Sequence, residues 1–214
     1  MGYMINLAIE GRPAVVVGGG EIASRKIEDL LAAKAKVTAI APDVCARIAA
    51  LADEKRIGLR LRPYRTGDLE GAFVVVASTG DEALNARIAG DAMERGALVN
   101  VVDRPALCTF TVPATVSRGD LTLAVATDGR CPALSSVLRE ELEGRYGPEY
   151  AGLVDLFAGL RSQMIAMAWE GPRIREALAG IYRDGVLALI GAGDREPFYD
   201  LLRARLGETF PLPE

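Results

Sequence analysis

The run Ala14-Val15-Val16-Val17-Gly18-Gly19-Gly20-Glu21-Ile22-Ala23 restricts the fold of this chain more than any other segment. Small and β-branched apolar residues make a short strand that can be buried on both faces, and such strands belong to parallel sheets. Three glycines then free the backbone for a sharp turn, and helical spacing follows from Glu21 to about Ala33. The order strand, glycine turn, helix fits Gly-x-Gly-x-x-Gly/Ala. Gly18 permits the turn, Gly20 lets the backbone approach a pyrophosphate, and the small Ala23 lets helix and strand pack closely. The open N–H groups and partial positive charge of the helix start then face the phosphates. A glycine turn needed only for packing would read the same way. Its place after the first strand of a βαβ unit favours a dinucleotide site.

The rest of the first half repeats the alternation. Strands are expected at Val37–Ile40 (ending at Pro42), Ile57–Leu61, Phe73–Ala77 and Ala97–Val102, with helices from about Val44 to Asp53 and from Asp81 to Arg95. Asp81 stands where an N-cap belongs. Apolar strands separated by helices imply a doubly wound, Rossmann-type α/β sheet with right-handed connections. After Asp103 the pattern changes. Thr109–Val116 and Asp120–Thr127 read as two strands joined by Ser117-Arg118-Gly119, and Pro132 opens a helix to about Glu143. Beyond Gly147 the chain is mostly helical, with breaks expected at Gly171-Pro172, Gly191-Ala192-Gly193 and Pro197. The expected division is a nucleotide-binding domain over 1–112, a β/α segment over 113–146 and a helical C-terminal part over 147–214.

Ligands of such sheets lie at the carboxyl ends of the strands. An acidic residue at the end of the second strand would hold the ribose, and Asp43 stands there, although beyond Pro42 it equally suits the N-cap of the next helix. Asp43 favours NAD over NADP, while Arg47 one turn later keeps NADP open. Thr79, after the fourth strand, and Asn100 to Asp103, after the fifth, fall at the same edge, where loop residues carry function.

Composition removes other chemistries. The 214 residues include no histidine, which excludes Ser-His-Asp hydrolysis and imidazole-ligated zinc. The net charge of −4 argues against a dedicated nucleic-acid binder. No stretch approaches the roughly 18 apolar residues of a membrane span. Cys45, Cys108 and Cys131 are odd in number and far apart, which argues against a disulfide framework or a metal site. Met1-Gly2-Tyr3-Met4-Ile5-Asn6 has neither the basic segment nor the apolar core of a secretion signal, so a reducing cytoplasm is expected. Of 25 cationic residues only Lys26, Lys34, Lys36 and Lys55 are lysine. Arginine grips carboxylates and phosphates through paired hydrogen bonds, so the bias fits an anionic ligand, as it would also fit a GC-rich genome.

Four segments in order resemble precorrin-2 dehydrogenases, the dehydrogenase/ferrochelatase module of siroheme synthase that also exists free-standing. They are Val15–Lys26; Ala77-Ser78-Thr79-Gly80-Asp81-Glu82-Ala83-Leu84-Asn85; Asn100–Phe110 with Pro113-Ala114; and Arg118-Gly119-Asp120-Leu121 with Ala124–Leu134 and Leu138-Arg139-Glu140. The resemblance covers about residues 1–150. It implies oxidation of precorrin-2 to sirohydrochlorin with NAD as hydride acceptor, and in some members insertion of ferrous iron to give siroheme. It also implies dimerisation through the 113–146 segment and an active site between the parts of the molecule.

On this resemblance Asp103 matches the catalytic aspartate, able to take the proton that accompanies hydride loss; otherwise it caps the turn before Arg104-Pro105. Glu21, Ile22, Pro42 and Asp43 match cofactor contacts, beside Gly18, Gly20, Thr79 and Asn100. Precorrin-2 is a polycarboxylate, so Arg104, Arg118 and Arg130 are candidate partners for its side chains, or else solvated surface residues. Cys131 falls where some relatives have a serine, and either loses a regulatory hydroxyl or faces the tetrapyrrole. Cys108 reads as buried rather than reactive. No resident metal site is visible, so iron enters only as a chelatase substrate. Two other readings compete: a generic NAD-dependent dehydrogenase, which explains the glycine turn alone, and a nucleotide-sensing or tetrapyrrole-carrier module without turnover.

Overall fold

The valine run becomes β1 (Pro13–Val17), the middle strand of a five-stranded sheet, in a computed structural model that describes residues 2–193 and 195–212. The other strands are β2 (Lys36–Ala41), β3 (Gly58–Leu61), β4 (Val74–Ala77) and β5 (Leu98–Val101). Their order is β3-β2-β1-β4-β5, and every pairing is parallel. Helices α1 (Glu21–Ala32), α2 (Ala46–Asp53) and α3 (Glu82–Glu94) connect them.

Alternate residues of each strand serve opposite faces. Val16, Ala39, Val74 and Val76 pack with Ala23 and Ile27 of α1 and Ile48 and Leu51 of α2. Val15, Val17, Ile40, Val75 and Val99 pack with Ile88, Ala89 and Ala92 of α3. The sheet is therefore covered on both sides, which is why its central strands contain almost no polar residue. Strand order reverses between β1 and β4, and the crevice at that switch point is where such a sheet holds a ligand.

The chain divides into two units, Met1–Val112 and Pro113–Glu214. The second begins with an antiparallel pair, β6 (Ala114–Arg118) and β7 (Leu121–Val125), against α4 (Pro132–Arg145). It continues through α5 (Glu149–Ala166), α6 (Gly171–Arg183), α7 (Val186–Ala192) and α8 (Arg195–Leu206). Leu153, Leu160, Met164, Ile174, Ile181 and Leu202 form the centre of this helical core.

Several boundaries differ from those expected. The strand read over Thr109–Val116 starts only at Ala114. Thr109 instead ties itself to β5: its N–H donates to the Val99 carbonyl at 2.9 Å and its hydroxyl accepts from the Val99 N–H at 2.8 Å. Pro113, which has no N–H, then separates that segment from the hairpin. The hairpin turn is Gly119-Asp120, with Gly119 at φ +57°, rather than Ser117-Arg118-Gly119. The break expected at Gly171-Pro172 is present, α5 ending at Ala166 and α6 beginning at Gly171, whereas Pro197 lies two residues inside α8, in a first turn where no backbone donor is needed. α7 runs through Gly191 to Ala192 and ends at Gly193; a break missed in the sequence falls at Asp184-Gly185, where Gly185 adopts φ +89°.

Candidate functional site

The glycine turn is squeezed between two loops. Gly18 has φ +139°, and a Cβ there would lie 2.6 Å from the Ser78 carbonyl oxygen. At Gly19 a Cβ would lie 1.9 Å from the Asp43 carbonyl oxygen, whereas at Gly20 it would meet nothing within 4 Å. Backbone bonds hold the three loops together: Gly18 N–H to Ile40 at 3.0 Å, Cys45 N–H to Gly19 at 2.7 Å and Ser78 N–H to Val17 at 2.9 Å. Gly19, the unspecified middle position of the pattern, is thus the most confined of the three, and nothing in the pattern signals it. Gly20 faces open space on the ligand side.

Of the three helix starts after the strands, that of α3 is capped by a side chain and those of α1 and α2 are not. The N-cap of α3 is Asp81, whose carboxylate accepts from the Ala83 and Leu84 N–H groups, as its position in the sequence implies. The N-cap of α1 is Gly20, and no side chain caps it. The first donors of α1 therefore point out of the sheet edge unsatisfied by protein side chains, with the positive end of the helix dipole behind them.

The glycine turn that leads into this helix start opens on a cleft of about 540 Å³. It is lined by the glycine turn, by residues 41–45 after β2, by Pro63 and Tyr64 after β3, and by Thr79 and Leu84 of the β4–α3 junction. Asp43 is exposed and is the single charged residue in that lining. It is not a helix cap: the N-cap of α2 is Cys45, and Asp43 Oδ1 accepts only the adjacent Val44 N–H at 3.0 Å among described hydrogen bonds. Arg47 is turned away to α1, where its Nε donates to the Glu28 carboxylate. That bond, with the charge of Glu28 behind it, raises the Arg47 pKa above its ordinary value.

Two residues that the sequence reading did not assign shape the walls. Asn85, buried on α3, accepts from the Thr79 hydroxyl at 2.8 Å and N–H at 3.2 Å and donates to the Thr79 carbonyl at 3.0 Å. A polar side chain on the buried face of a helix, one residue after Leu84, was the available signal. Tyr64 is buried, and its hydroxyl donates to Asp91 at 2.7 Å. Burial first, and then the bond to Asp91, push its phenol far above the ordinary range, so it stays a neutral donor. No pattern in the sequence marks Tyr64, because its partner lies on α3.

A second depression, of about 430 Å³, lies between α1 and the end of β5 and brings Asp103 and Ile22 together with Arg25 and Lys26. Asp103 is exposed, with φ +57°, in the turn closed by the Arg104 N–H on the Val101 carbonyl at 3.2 Å. Aspartate is among the few residues that accept this conformation readily. Glu21 and Asn100 line neither cavity. Asn100 donates to the Phe110 carbonyl at 3.1 Å, and the half-buried Cys108 sulfur accepts the Val101 N–H at 3.1 Å, so both tie the following segment to β5. Arg104 is paired with Glu82. In the second unit, the Arg118 guanidinium donates to the carbonyls of Tyr146 (2.9 Å), Ser117 (2.9 Å) and Glu143 (3.2 Å), so it serves the end of α4. Arg130 is exposed, and Cys131 is the exposed N-cap of α4. Among the described residues no three His, Cys, Asp or Glu side chains are gathered as metal ligands, and no helix is long and apolar enough to cross a membrane.

A parallel sheet in this order, with an uncapped helix start behind a glycine turn and one acid at the end of β2, defines a Rossmann-type dinucleotide-binding protein. Residues 5–114 match the NAD_binding_7 family of NAD(P)-binding domains, and the chain belongs to that family. It is also similar to the siroheme synthases of Ectopseudomonas mendocina (strain ymp), 35% identical over 95% of this chain and 44% of that protein, and of Pseudomonas entomophila (strain L48), 37% identical over 92% and 49%. The chain spans about half the length of these curated relatives. Among solved structures, "SirC, precorrin-2 dehydrogenase" superposes with a TM-score of 0.73 at 26% identity, over 94% of this chain and 98% of that one.

Proposed function

We propose that the protein oxidises precorrin-2 to sirohydrochlorin with NAD, as a homodimer in a reducing cytoplasm. The observation that carries this reading is the likeness to a precorrin-2 dehydrogenase along nearly the whole of both chains, since it takes in the second unit as well as the nucleotide-binding one. The cleft fits the cofactor: the start of α1 carries no side-chain cap, and Gly20 leaves open space beside it. NAD, when bound, supplies the hydride acceptor.

The chain's own residues do the rest. The α1 N–H groups hold the pyrophosphate, and Asp43 accepts hydrogen bonds from the adenosine ribose. Thr79, held by Asn85, fixes the far wall. Asp103 accepts the proton that leaves the macrocycle as hydride departs, so that two electrons and two hydrogens are accounted for. Arg130 pairs with a substrate carboxylate, and Arg104 does so by exchanging Glu82 for it; Arg118 is already engaged at three carbonyls. Three free cysteines support a reducing compartment. Dimerisation through 113–146 is supported by Leu134 and Val137 of α4, about half exposed at 47% and 51%.

The test is an anaerobic spectrum with enzymatically generated precorrin-2. Sirohydrochlorin should appear only when NAD is present, and Asp103→Asn should slow turnover on the order of 10²–10⁴-fold while leaving NAD binding intact. Asparagine is the informative replacement because it also tolerates the positive φ. Persistence of precorrin-2 with NAD bound would sink the enzyme reading and leave a sensor or carrier. Adding ferrous iron afterwards tests metal insertion as a second reaction.

A further inference from the structure

The cofactor cleft is lined by one carboxylate and by no arginine or lysine. A 2′-phosphate on an adenosine ribose at Asp43 would bring further negative charge against that carboxylate, so NADP needs a cation brought to the spot. Three of the arginines near the cleft, Arg47, Arg60 and Arg62, are bonded elsewhere, while Arg65, next to Tyr64, is exposed. On the β3 side, Arg60 and Arg62 both bond to Asp68 at 2.6–2.7 Å. On the β2 side, Arg47 is the second residue of α2, four positions after Asp43 in the chain and in the first turn of the helix that follows the cleft-lining loop. Its guanidinium is drawn across to α1 by Glu28, and Glu21 at the start of the same helix adds a second, weaker attraction. The Glu28 side chain is only about a third exposed, at 32%, so it is the more firmly placed member of the pair.

Building on the NAD reading above, we infer that Glu28 is a selectivity residue: by holding Arg47 against α1 it withholds the cation that would receive a 2′-phosphate, and the cleft takes a dinucleotide with a free 2′-hydroxyl. Neither member of the pair lines the cofactor cleft, and Glu28 lines the second depression with Ile22 and Asp103, so the comparison of NADP with NAD, rather than either affinity alone, reads its effect. Loss of Glu28 frees Arg47 and removes a competing anion at once, and both effects favour NADP alone.

Titration calorimetry with NAD and with NADP, in the absence of any tetrapyrrole, tests this on the wild type, Glu28→Gln and Glu28→Gln/Arg47→Ala. Wild type should prefer NAD. Glu28→Gln should bind NADP about fivefold more tightly, the scale on which an exposed ion pair competes, with NAD affinity unchanged. The double variant should lose the gain. An unchanged NADP affinity in Glu28→Gln overturns the inference, as does a gain that survives in the double variant, since another arginine would then be the receiver. Equal binding of both nucleotides by the wild type overturns it too while leaving the cofactor site standing; a wild type that binds neither overturns the cofactor reading itself.

Discussion

A methyl group at Gly19 would sit 1.9 Å from the Asp43 carbonyl oxygen, and one at Gly20 would meet nothing within 4 Å. The two adjacent glycines therefore answer to different demands, one to the protein and one to its ligand. Gly19→Ala should separate the glycine turn from the loop after β2, at a cost of about 1–3 kcal/mol, and lower both melting temperature and NAD affinity. Gly20→Ala should leave the melting temperature of the apoprotein nearly unchanged and weaken NAD binding alone. Calorimetric melting and NAD titration of both variants check this, and equal destabilisation by the two would refute it. The dinucleotide pattern assigns Gly18 and Gly20 and leaves Gly19 blank because it records what a pyrophosphate needs, not which carbonyl another strand happens to place nearby. Asp43 is visible as an acid after the second strand because the dinucleotide pattern expects a ribose partner there. Its capping alternative fell because the helix begins later, at Ala46.

Between elements, Asp68 joins the edge strand β3 to the loop that forms one wall of the cleft. Its nearly inaccessible carboxylate receives two bonds from Arg62 (2.7 and 2.6 Å), one from Arg60 (2.7 Å) and the Arg65 N–H (2.8 Å). Arg62 above all, against the opposing effect of burial, holds the Asp68 carboxyl well below the usual carboxylate range. A depressed folded-state pKa contributes stability that is complete above the unfolded value near 4 and drains away as pH falls towards the folded one. Asp68→Asn should thus lose about 2 kcal/mol at neutral pH and show a shallower fall in stability from pH 5 to 2 than the wild type. Parallel pH-dependent melts would expose the opposite result. None of this network is legible in the sequence, where Arg60, Arg62, Arg65 and Asp68 read as an ordinary polar stretch. The elements themselves were more legible: β1, β4 and α3 are marked by unbroken valines and by a capping aspartate. The hairpin start was misread because Thr109-Phe110-Thr111 alternates like a strand, while its bonds go to the free edge of β5.

Across the whole molecule, apolar exposure is local to particular elements. In the nucleotide-binding unit β1, β2 and β4 are covered while Leu61 of the edge strand β3 is exposed; in the second unit α4 buries only Ser135 and leaves Leu134 and Val137 about half exposed. If the proposed homodimer forms through α4, Leu134→Glu/Val137→Glu should lower the mass seen in light scattering to that of one chain without lowering NAD affinity; an unchanged mass would show that this surface is not the interface. The doubly wound class was readable from the strand–helix alternation alone, because a parallel sheet covered on both faces leaves few other arrangements of such a sequence. What the second unit does was not, since helical periodicity reports which side of a helix is apolar and not what meets it. The uncapped start of α1 has its own bearing on the life of the protein in a cell. A helix that ends in open donors is completed by whatever anion settles on it, so the nucleotide serves as a removable part of the fold. At a hundredfold excess over its dissociation constant it would add about 2.7 kcal/mol to the stability of the chain, and the same protein in a cofactor-starved cell would unfold, and meet proteases, that much more often.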